Sequence, residues 1–313
     1  MSNDYLYTKI FRMSNIEKLK KTYLKKLNAD DLDLIIALVI KKGRSFVISH
    51  PEYTLSEYQS SKINLLIKRR VNNEPYAYLN GKKEFYGLNF FVNKNTLIPR
   101  PETELMVDNA INILNNKETY KNTALIDMGT GSGCIIIALA DYIYHKSPIK
   151  YFTKIKKMYA IDISLPALAI AKKNATLHKL NTKIKFLKGN LLEPIIDHVR
   201  YLNPLKNSNL HLIITANLPY LTYSQFKKAP SIQSEPKIAL LAGQDGLKYY
   251  KKLFKQIKFL RRINKNLRLS LLCEIDSGQL KKIKTIIKKK IPQINLQIKK
   301  DLRGLDRLII IEF

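Results

Sequence analysis

The sequence predicts an α/β protein, a doubly wound and mostly parallel sheet with helices on both faces, preceded by a small N-terminal helical domain. Three observations predict it. Short apolar runs from residue 124 onward alternate with stretches long enough for crossover helices. A glycine-rich segment closes the first of those runs. The residues before about 73 carry the 3.6 period of helices rather than the alternation of strands.

Residues 1–12 mix Asp4 and Lys9 with aromatics and lack an apolar core followed by a small-residue cleavage site, so no secretory signal is expected. Residues 16–27 have helical apolar spacing. Asp30 and Asp31 read as start signals for the apolar run 32–40, and Gly43 is expected to end that helix. After a turn at Pro51, Thr54 or Ser56 can cap a third helix whose Ile63, Leu66, Ile67 and Val71 share one face. Residues 84–92 turn to aromatic and β-branched types around Gly87, as in a hairpin. Ile98-Pro99-Arg100-Pro101-Glu102-Thr103-Glu104 then opens another helix, with Pro101 at a first helical position where its missing amide hydrogen costs nothing. Glu102 and Glu104 read equally as complements to that helix's N-terminus or as site residues. The candidate strands are 124–128, 157–161, 184–187, 212–215 and 271–275, with a helix at 134–144, a surface insertion at 145–156 and a polar loop at 201–209. The expected division is a helical domain at 1–80, a hairpin linker at 81–100 and the sheet domain at 101–313.

With 313 residues, 45% of them hydrophobic, the chain can bury a sizeable core. The longest apolar stretches, 34–40 and 134–140, fall short of the ~18 to 20 residues of a membrane span, and a cytoplasmic protein is expected. Cys134 and Cys273 are isolated and the histidines at 50, 145, 178, 198 and 211 show no ligand spacing, so neither disulfide nor metal is expected. Lys+Arg outnumber Asp+Glu by 55 to 25, a formal charge of +30. Such a surplus suits a nucleic acid or a ribosome-associated partner. Here it is spread along a chain rich in Ile and Asn, as compositional bias would spread it, so nucleic-acid binding is compatible with the charge without being required by it. Only Lys281, Lys282, Lys284, Lys288, Lys289 and Lys290 form a dense run, on the solvated side of an amphipathic helix.

The strongest local signal is Asp127-Met128-Gly129-Thr130-Gly131-Ser132-Gly133, between a strand and a helix. Such a loop lets backbone approach a ligand closely. A dinucleotide fingerprint would require glycine at position 134, and a P-loop would require Gly-Lys-Ser/Thr, whereas Cys134 stands there. Pyrophosphate is therefore the poorer guest. An adenosine bearing an amino-acid tail fits better, with the glycines beneath it and Asp127 near its ammonium. Asp162 ends the next strand, where a carboxylate can accept from both ribose hydroxyls. Asn190, after Gly189, is placed for an adenine amine, with Leu191 covering the ring. A plain Gly-Asn turn explains Asn190 about as well.

Asn217-Leu218-Pro219-Tyr220 follows the strand 212–215 and is expected beside the glycine loop, at the carboxyl ends of the strands. An amide or aromatic amino nitrogen is a weak nucleophile because its lone pair is delocalised. A site that holds both N–H bonds and aims the lone pair can methylate it. Asn217 Oδ1 and the Leu218 carbonyl are the expected acceptors, with Pro219 and Tyr220 shaping the slot and Tyr220 packing on the planar group. Orientation alone can contribute ~7 to 11 kcal/mol to such a transfer.

These segments resemble the protein-(glutamine-N5) methyltransferases, in particular those that modify class I peptide chain release factors. The resemblance also covers Ser49-His50-Pro51, Pro75-Tyr76-Ala77-Tyr78-Leu79, Glu84-Phe85-Tyr86-Gly87, Glu235-Pro236, Asp245-Gly246-Leu247 and residues 301–307, and it is most specific in Ile98-Pro99-Arg100-Pro101-Glu102-Thr103-Glu104. It implies a Rossmann-like class I methyltransferase fold, S-adenosyl-L-methionine as cofactor, a monomer, and the glutamine of a Gly-Gly-Gln loop as methyl acceptor beside Asn217. The N-terminal helices and the hairpin are then expected to recognise the release factor. Two departures stand out: Leu218 replaces the first proline of the usual Asn-Pro-Pro-Tyr, and Asn190-Leu191 stands where relatives often have Asp-Trp. Asn-Leu-Pro-Tyr also occurs in ribosomal RNA adenine dimethyltransferases. A ribosomal-protein glutamine methyltransferase, an RNA or DNA adenine-N6 methyltransferase and a non-catalytic cofactor-fold protein are the alternatives.

Overall fold

The computed structural model describes residues 14–115, 123–147, 155–202, 210–291 and 294–313. The segment 1–12, residues 148–154 of the expected insertion and residues 203–209 of the expected polar loop lie outside them. The chain forms two compact units, Met1–Gly81 with Pro230–Ser234, and Lys82–Ala229 with Glu235–Phe313.

In the first unit, the two-residue strand β1 (Ser14–Asn15) pairs antiparallel with β2 (Thr54–Leu55). Its helices are α1 (Ile16–Tyr23), α2 (Ala29–Ile40), α3 (Arg44–Ser49), α4 (Glu57–Val71) and α5 (Tyr76–Asn80). Asn28 caps α2, leaving Asp30 and Asp31 in the first turn, where their charge complements the helix dipole. Lys41 closes the same helix in the left-handed region, and Gly43 instead precedes α3, a helix that the sequence reading does not contain. Ser56 and Gln59 form a reciprocal capping box at the start of α4. Ile63, Leu66 and Ile67 of α4 pack with Ile16, Leu19, Leu32, Ile35 and Ile36, whereas Val71 is 41% exposed at the frayed end.

The second unit opens with the hairpin β3 (Lys82–Phe85) and β4 (Leu88–Phe91), joined through Tyr86 and Gly87. Both turn residues have positive φ, the requirement of the tight turn that matches strand twist. A 3₁₀ turn at Pro101–Thr103 leads into α6 (Glu104–Asn115). Then follow β5 (Thr123–Met128), α7 (Cys134–Asp141), β6 (Ile155–Asp162), α8 (Leu165–Leu177), β7 (Ile184–Lys188), α9 (Glu193–Leu202), β8 (His211–Ala216) and α10 (Tyr223–Lys227). The chain ends with α11 (Lys248–Ile263), β9 (Arg268–Glu274), α12 (Leu280–Lys290), β10 (Asn295–Lys300) and β11 (Asp306–Glu312). None of the described helices is long and apolar enough to cross a membrane.

The sheet runs β10-β11-β9-β8-β5-β6-β7. The five expected strands are its parallel part, β7 to β9. Two strands are additional: β11 inserts antiparallel between β9 and β10. The edge strand β10 reads Asn-Leu-Gln-Ile-Lys-Lys, a polar alternation that blunts an edge and hides the strand from a search for apolar runs. Each central strand is buried on both sides. Ala124, Ile126 and Met128 face one cluster with Tyr250, Leu253 and Phe254, while Leu125 faces the other with Met106, Val107 and Ile136.

Buried Asn174 on α8 joins three elements. Its Oδ1 accepts from Phe91 N at 2.7 Å, and its Nδ2 donates to the carbonyls of Phe91 and Ser132 at 3.0 and 2.8 Å. The hairpin and the glycine loop are thereby anchored to one helix. Asn174→Ala strands one N–H and two carbonyls and is expected to lower unfolding stability by about 3 kcal/mol. Denaturant titration checks this, and a loss below about 1 kcal/mol would mean that water takes over the bonds.

Candidate active site

The order of the strands reverses between β5 and β8, and a cleft of about 710 Å³, open to solvent, lies at their carboxyl ends. Gly129, Gly131, Asp162, Asn190, Leu191, Asn217, Leu218 and Pro219 line it, and Asn95, Thr96 and Leu97 form part of its wall. Of the expected site residues, Asp127, Thr130, Ser132, Gly133 and Tyr220 lie outside this lining.

The glycine loop is shaped by backbone contacts. Thr130 N donates to the Ile161 carbonyl of β6 at 3.0 Å, and Gly133 N to the Thr130 carbonyl at 2.7 Å. Gly133 has φ +82°, and a Cβ there would come within 2.9 Å of Ile137 Cδ1 and 3.2 Å of Ala171 Cβ, so a side chain would be strained in backbone and crowded against α8. Asp127 lies beneath the loop, 1% exposed, accepting from Thr130 Oγ1 at 2.6 Å and Thr215 Oγ1 at 2.8 Å. Burial raises its carboxyl from the ordinary 3.8 to about 6, against the pull of the two hydroxyls.

Asp162 accepts from Gly131 N and Ser164 N, each at 2.9 Å, one on each oxygen. Both oxygens keep lone pairs for a further donor. Burial raises this carboxyl too. The 190–192 turn is held from α11, where Gln256 donates to the Asn190 carbonyl at 3.2 Å and accepts from Leu192 N at 3.0 Å. Leu191 stands there at φ +63°, a conformation costly for leucine and kept by these neighbours.

Asn217 and Leu218 leave β8 directly against the glycine loop: a Cβ on Gly129 would lie 3.3 Å from Leu218 Cδ2 and 3.8 Å from the Asn217 carbonyl. Leu218 is 2% exposed. Asn217 Nδ2 donates to Thr103 Oγ1 at 3.1 Å, and among the described residues its Oδ1 carries no hydrogen bond. The Tyr220 hydroxyl donates to Glu274 Oε1 at 3.2 Å, so that ring is tethered behind the cleft. Burial, reinforced by Glu274, drives the Tyr220 hydroxyl well above its ordinary range.

Sequence reasoning missed several supports. Glu274, on the last residue of β9, is buried and also accepts from Thr103 Oγ1 at 2.7 Å. Its signal was a lone acid inside the apolar run 269–275. Buried Glu235 accepts from Ile98 N at 3.0 Å and pairs with Arg100, holding the segment that follows the cleft wall. Glu104 accepts from Tyr86 N at 2.8 Å, and Glu102 lies 3.6 Å from Arg303, so neither lines the cleft. Cys134 is buried with its thiol pushed up to about 12 by desolvation, which leaves it unreactive.

Residues 17–81 match the family model described as the PrmC N-terminal domain, and residues 119–216 match a methyltransferase domain. The release factor glutamine methyltransferase of Dictyoglomus turgidum is 33% identical over 283 residues, covering 89% of this chain and 89% of the relative. That of Coxiella burnetii is 31% identical, covering 90% of each. Among solved structures, the hMettl16 catalytic domain in complex with an RNA hairpin of the MAT2A 3'UTR superposes with a TM-score of 0.51 at 16% identity, over 73% of this chain and 76% of that one. That last likeness concerns the fold alone, a class I methyltransferase sheet with helices. Identity above 30% along nearly the whole length is of a different order, and by it this chain is a methyltransferase that belongs to the release factor glutamine methyltransferase family.

Proposed function

We propose that this protein methylates the side-chain nitrogen, N5, of the glutamine in the Gly-Gly-Gln loop of class I peptide chain release factors, with S-adenosyl-L-methionine as methyl donor. The observation that carries this reading is Asn217, which lines the cleft beside the glycine loop and whose Oδ1 carries no hydrogen bond among the described residues. The lining of the cleft supports the donor: Asp162 offers lone pairs for a ribose diol, Asn190 and Leu191 are the proposed neighbours of the adenine, and Asp127, buried below the loop and outside the lining, is the proposed counter-charge for the ammonium. When bound, S-adenosyl-L-methionine supplies an electrophilic methyl group. The residues of the chain do the rest by orientation. Asn217 Oδ1 and the Leu218 carbonyl accept the two N–H bonds of the glutamine amide, turning its plane so that the nitrogen lone pair points along the line of transfer. No strong base is needed, since the nitrogen becomes acidic enough to lose a proton to water once its lone pair is used. The helical domain at 1–80, with the hairpin at 81–100, is the proposed recognition element for the release factor, and 101–313 the transfer domain, acting in the cytoplasm.

Incubation with unmodified release factor and S-adenosyl-L-methionine is expected to add one methyl to the Gly-Gly-Gln glutamine, read by mass spectrometry of the tryptic peptide. Label on a ribosomal protein would move the substrate, and label in RNA would move the assignment to adenine. Asn217→Ala is expected to lower transfer by at least about 10²-fold with cofactor affinity nearly unchanged. Asp162→Ala is expected to do the reverse, weakening cofactor binding in calorimetry; an unchanged affinity would remove Asp162 from the ribose.

Asp127 adds a pH dependence. Its folded carboxyl titrates near 6 against an ordinary 3.8, so the stability it contributes is present at low pH and is lost as pH rises from about 4 to 6. A cationic ligand reverses that preference by favouring the carboxylate. Cofactor affinity is therefore expected to fall roughly tenfold per pH unit below about 6, with release of one proton on binding. A flat affinity between pH 5 and 7.5 in Asp127-intact protein would place the ammonium elsewhere.

A further inference from the structure

Asparagine is nearly symmetric in shape, and an Asn217 amide turned over would present NH₂ to the NH₂ of a glutamine, donor against donor. The proposed reaction therefore needs a device that fixes which end of Asn217 faces the cleft. We propose that Thr103 and Glu274 form that device, a positioning relay that commits the Asn217 amide to present its oxygen; this rests on the reading of Asn217 given above.

The relay is read from donors and acceptors. Glu274, as a carboxylate, can only accept, and it takes the Thr103 hydroxyl hydrogen at 2.7 Å. With its one hydrogen spent, Thr103 Oγ1 has only lone pairs to offer, and the group 3.1 Å away on Asn217 must be the nitrogen. Oδ1 is left for the cleft. Thr103 and Glu274 are 2% and 3% exposed, so water does not compete for either bond. Neither lines the cleft, so both act through Asn217. A carboxylate at the head of a hydrogen-bond chain also polarises it, making the terminal amide oxygen a stronger acceptor.

Glu274 is supported as an anion from several sides. Burial raises this carboxyl, and the Thr103 hydroxyl, the positive charge of Arg307 and the Tyr220 hydroxyl on its second oxygen all work in the opposite direction, against the negative charge of Glu102. The same acid thus grips both ends of the tetrapeptide, Asn217 through Thr103 and Tyr220 directly. Behind it, Gln279 Nε2 donates to the carbonyls of Tyr220 and Gly246 at 2.8 and 3.2 Å. Gly246 has φ +70° and leaves 2.2 Å between a notional Cβ and the Tyr220 carbonyl, so no other residue fits at this crossing.

The test compares Thr103→Val, which keeps the shape and deletes the hydroxyl, with Thr103→Ser, which restores it, in the full chain. The readouts are kcat and KM for unmodified release factor, cofactor affinity by calorimetry, and hydrogen-exchange protection of the Asn217 side-chain NH₂ by NMR, assigned through its loss in Asn217→Asp. Thr103→Val is expected to lose roughly 10²-fold in kcat, with KM and cofactor affinity within about twofold of wild type, and to lose the protection; Thr103→Ser is expected to recover kcat to within about fivefold, together with the protection. Equal kcat in the two variants, or protection indifferent to Thr103, overturns the relay. Should wild type fail to methylate the release factor while protection still follows the hydroxyl, the substrate reading falls and the relay stands.

Discussion

The parallel pairing of β5 with β8 is the constraint on which the site depends. The register sets Asp127 opposite Thr215 and Met128 opposite Ala216, so the glycine loop and the Asn217 loop leave the sheet side by side. Thr215 Oγ1 donates to Asp127 across that pairing at 2.8 Å, tying the strands at the last residues before the loops diverge. A slip of two residues would separate the loops by about 7 Å and open the cleft. The connections favour this proximity: β5 feeds β6 and β7 on one side, and β8 and β9 extend the other, so the order of the strands reverses between β5 and β8, where the cleft opens.

Three buried acids organise the surroundings of that gap, each in a different way. Asp127 is satisfied by hydroxyls and sits under the glycine loop; Glu235 takes a backbone N–H and an arginine, holding residues 98–100; Glu274 takes two hydroxyls, from Thr103 and Tyr220. A buried carboxylate is costly unless its lone pairs are filled, so each one dictates the geometry of its donors. The acids therefore specify where the loops stand. Apolar packing supplies most of the stability but cannot tell one orientation of an amide from the other.

Much of this was legible in the sequence, for reasons that vary by residue. The central strands β5, β8 and β9 announce themselves because burial on both faces demands continuous apolar runs, and Gly129, Gly131 and Gly133 announce a loop because their positive φ disfavours other residues. The strands β10 and β11 were missed because antiparallel pairing through a short turn leaves no crossover helix, and because an edge strand carries polar residues. The boundary error at Gly43 came from treating glycine as a stop when Lys41 had already adopted the left-handed cap. At the site, Gly129, Gly131, Asp162, Asn190, Leu191, Asn217, Leu218 and Pro219 were singled out by their chemistry and line the cleft, whereas Asn95, Thr96, Ile238 and Tyr249 line it without having been singled out. For Thr103 and Glu235, which the sequence offered only as members of the resembling segments, and for Glu274, Gln256 and Gln279, the partners were not readable, since they lie far away in sequence and only the fold brings them together.

Leu218 shows how the same logic accommodates a departure from the usual motif. A proline at this position would stiffen the loop through its ring and would still leave its carbonyl as an acceptor. Leucine gives up the ring but gains a side chain, and here that side chain is buried against Gly129, one surface of the loop it must align with. Rigidity lost from the backbone is thus supplied by packing. Tyr250 helps from beneath, its single hydroxyl hydrogen lying between the Glu274 carbonyl and the Ala216 carbonyl, the latter 3.2 Å from the hydroxyl oxygen, at the ends of β9 and β8 just before the loop begins. In the proposed reaction residue 218 acts through its main-chain oxygen, so what matters there is that the peptide plane be held, and the buried side chain of Leu218 packs against the glycine loop to hold it.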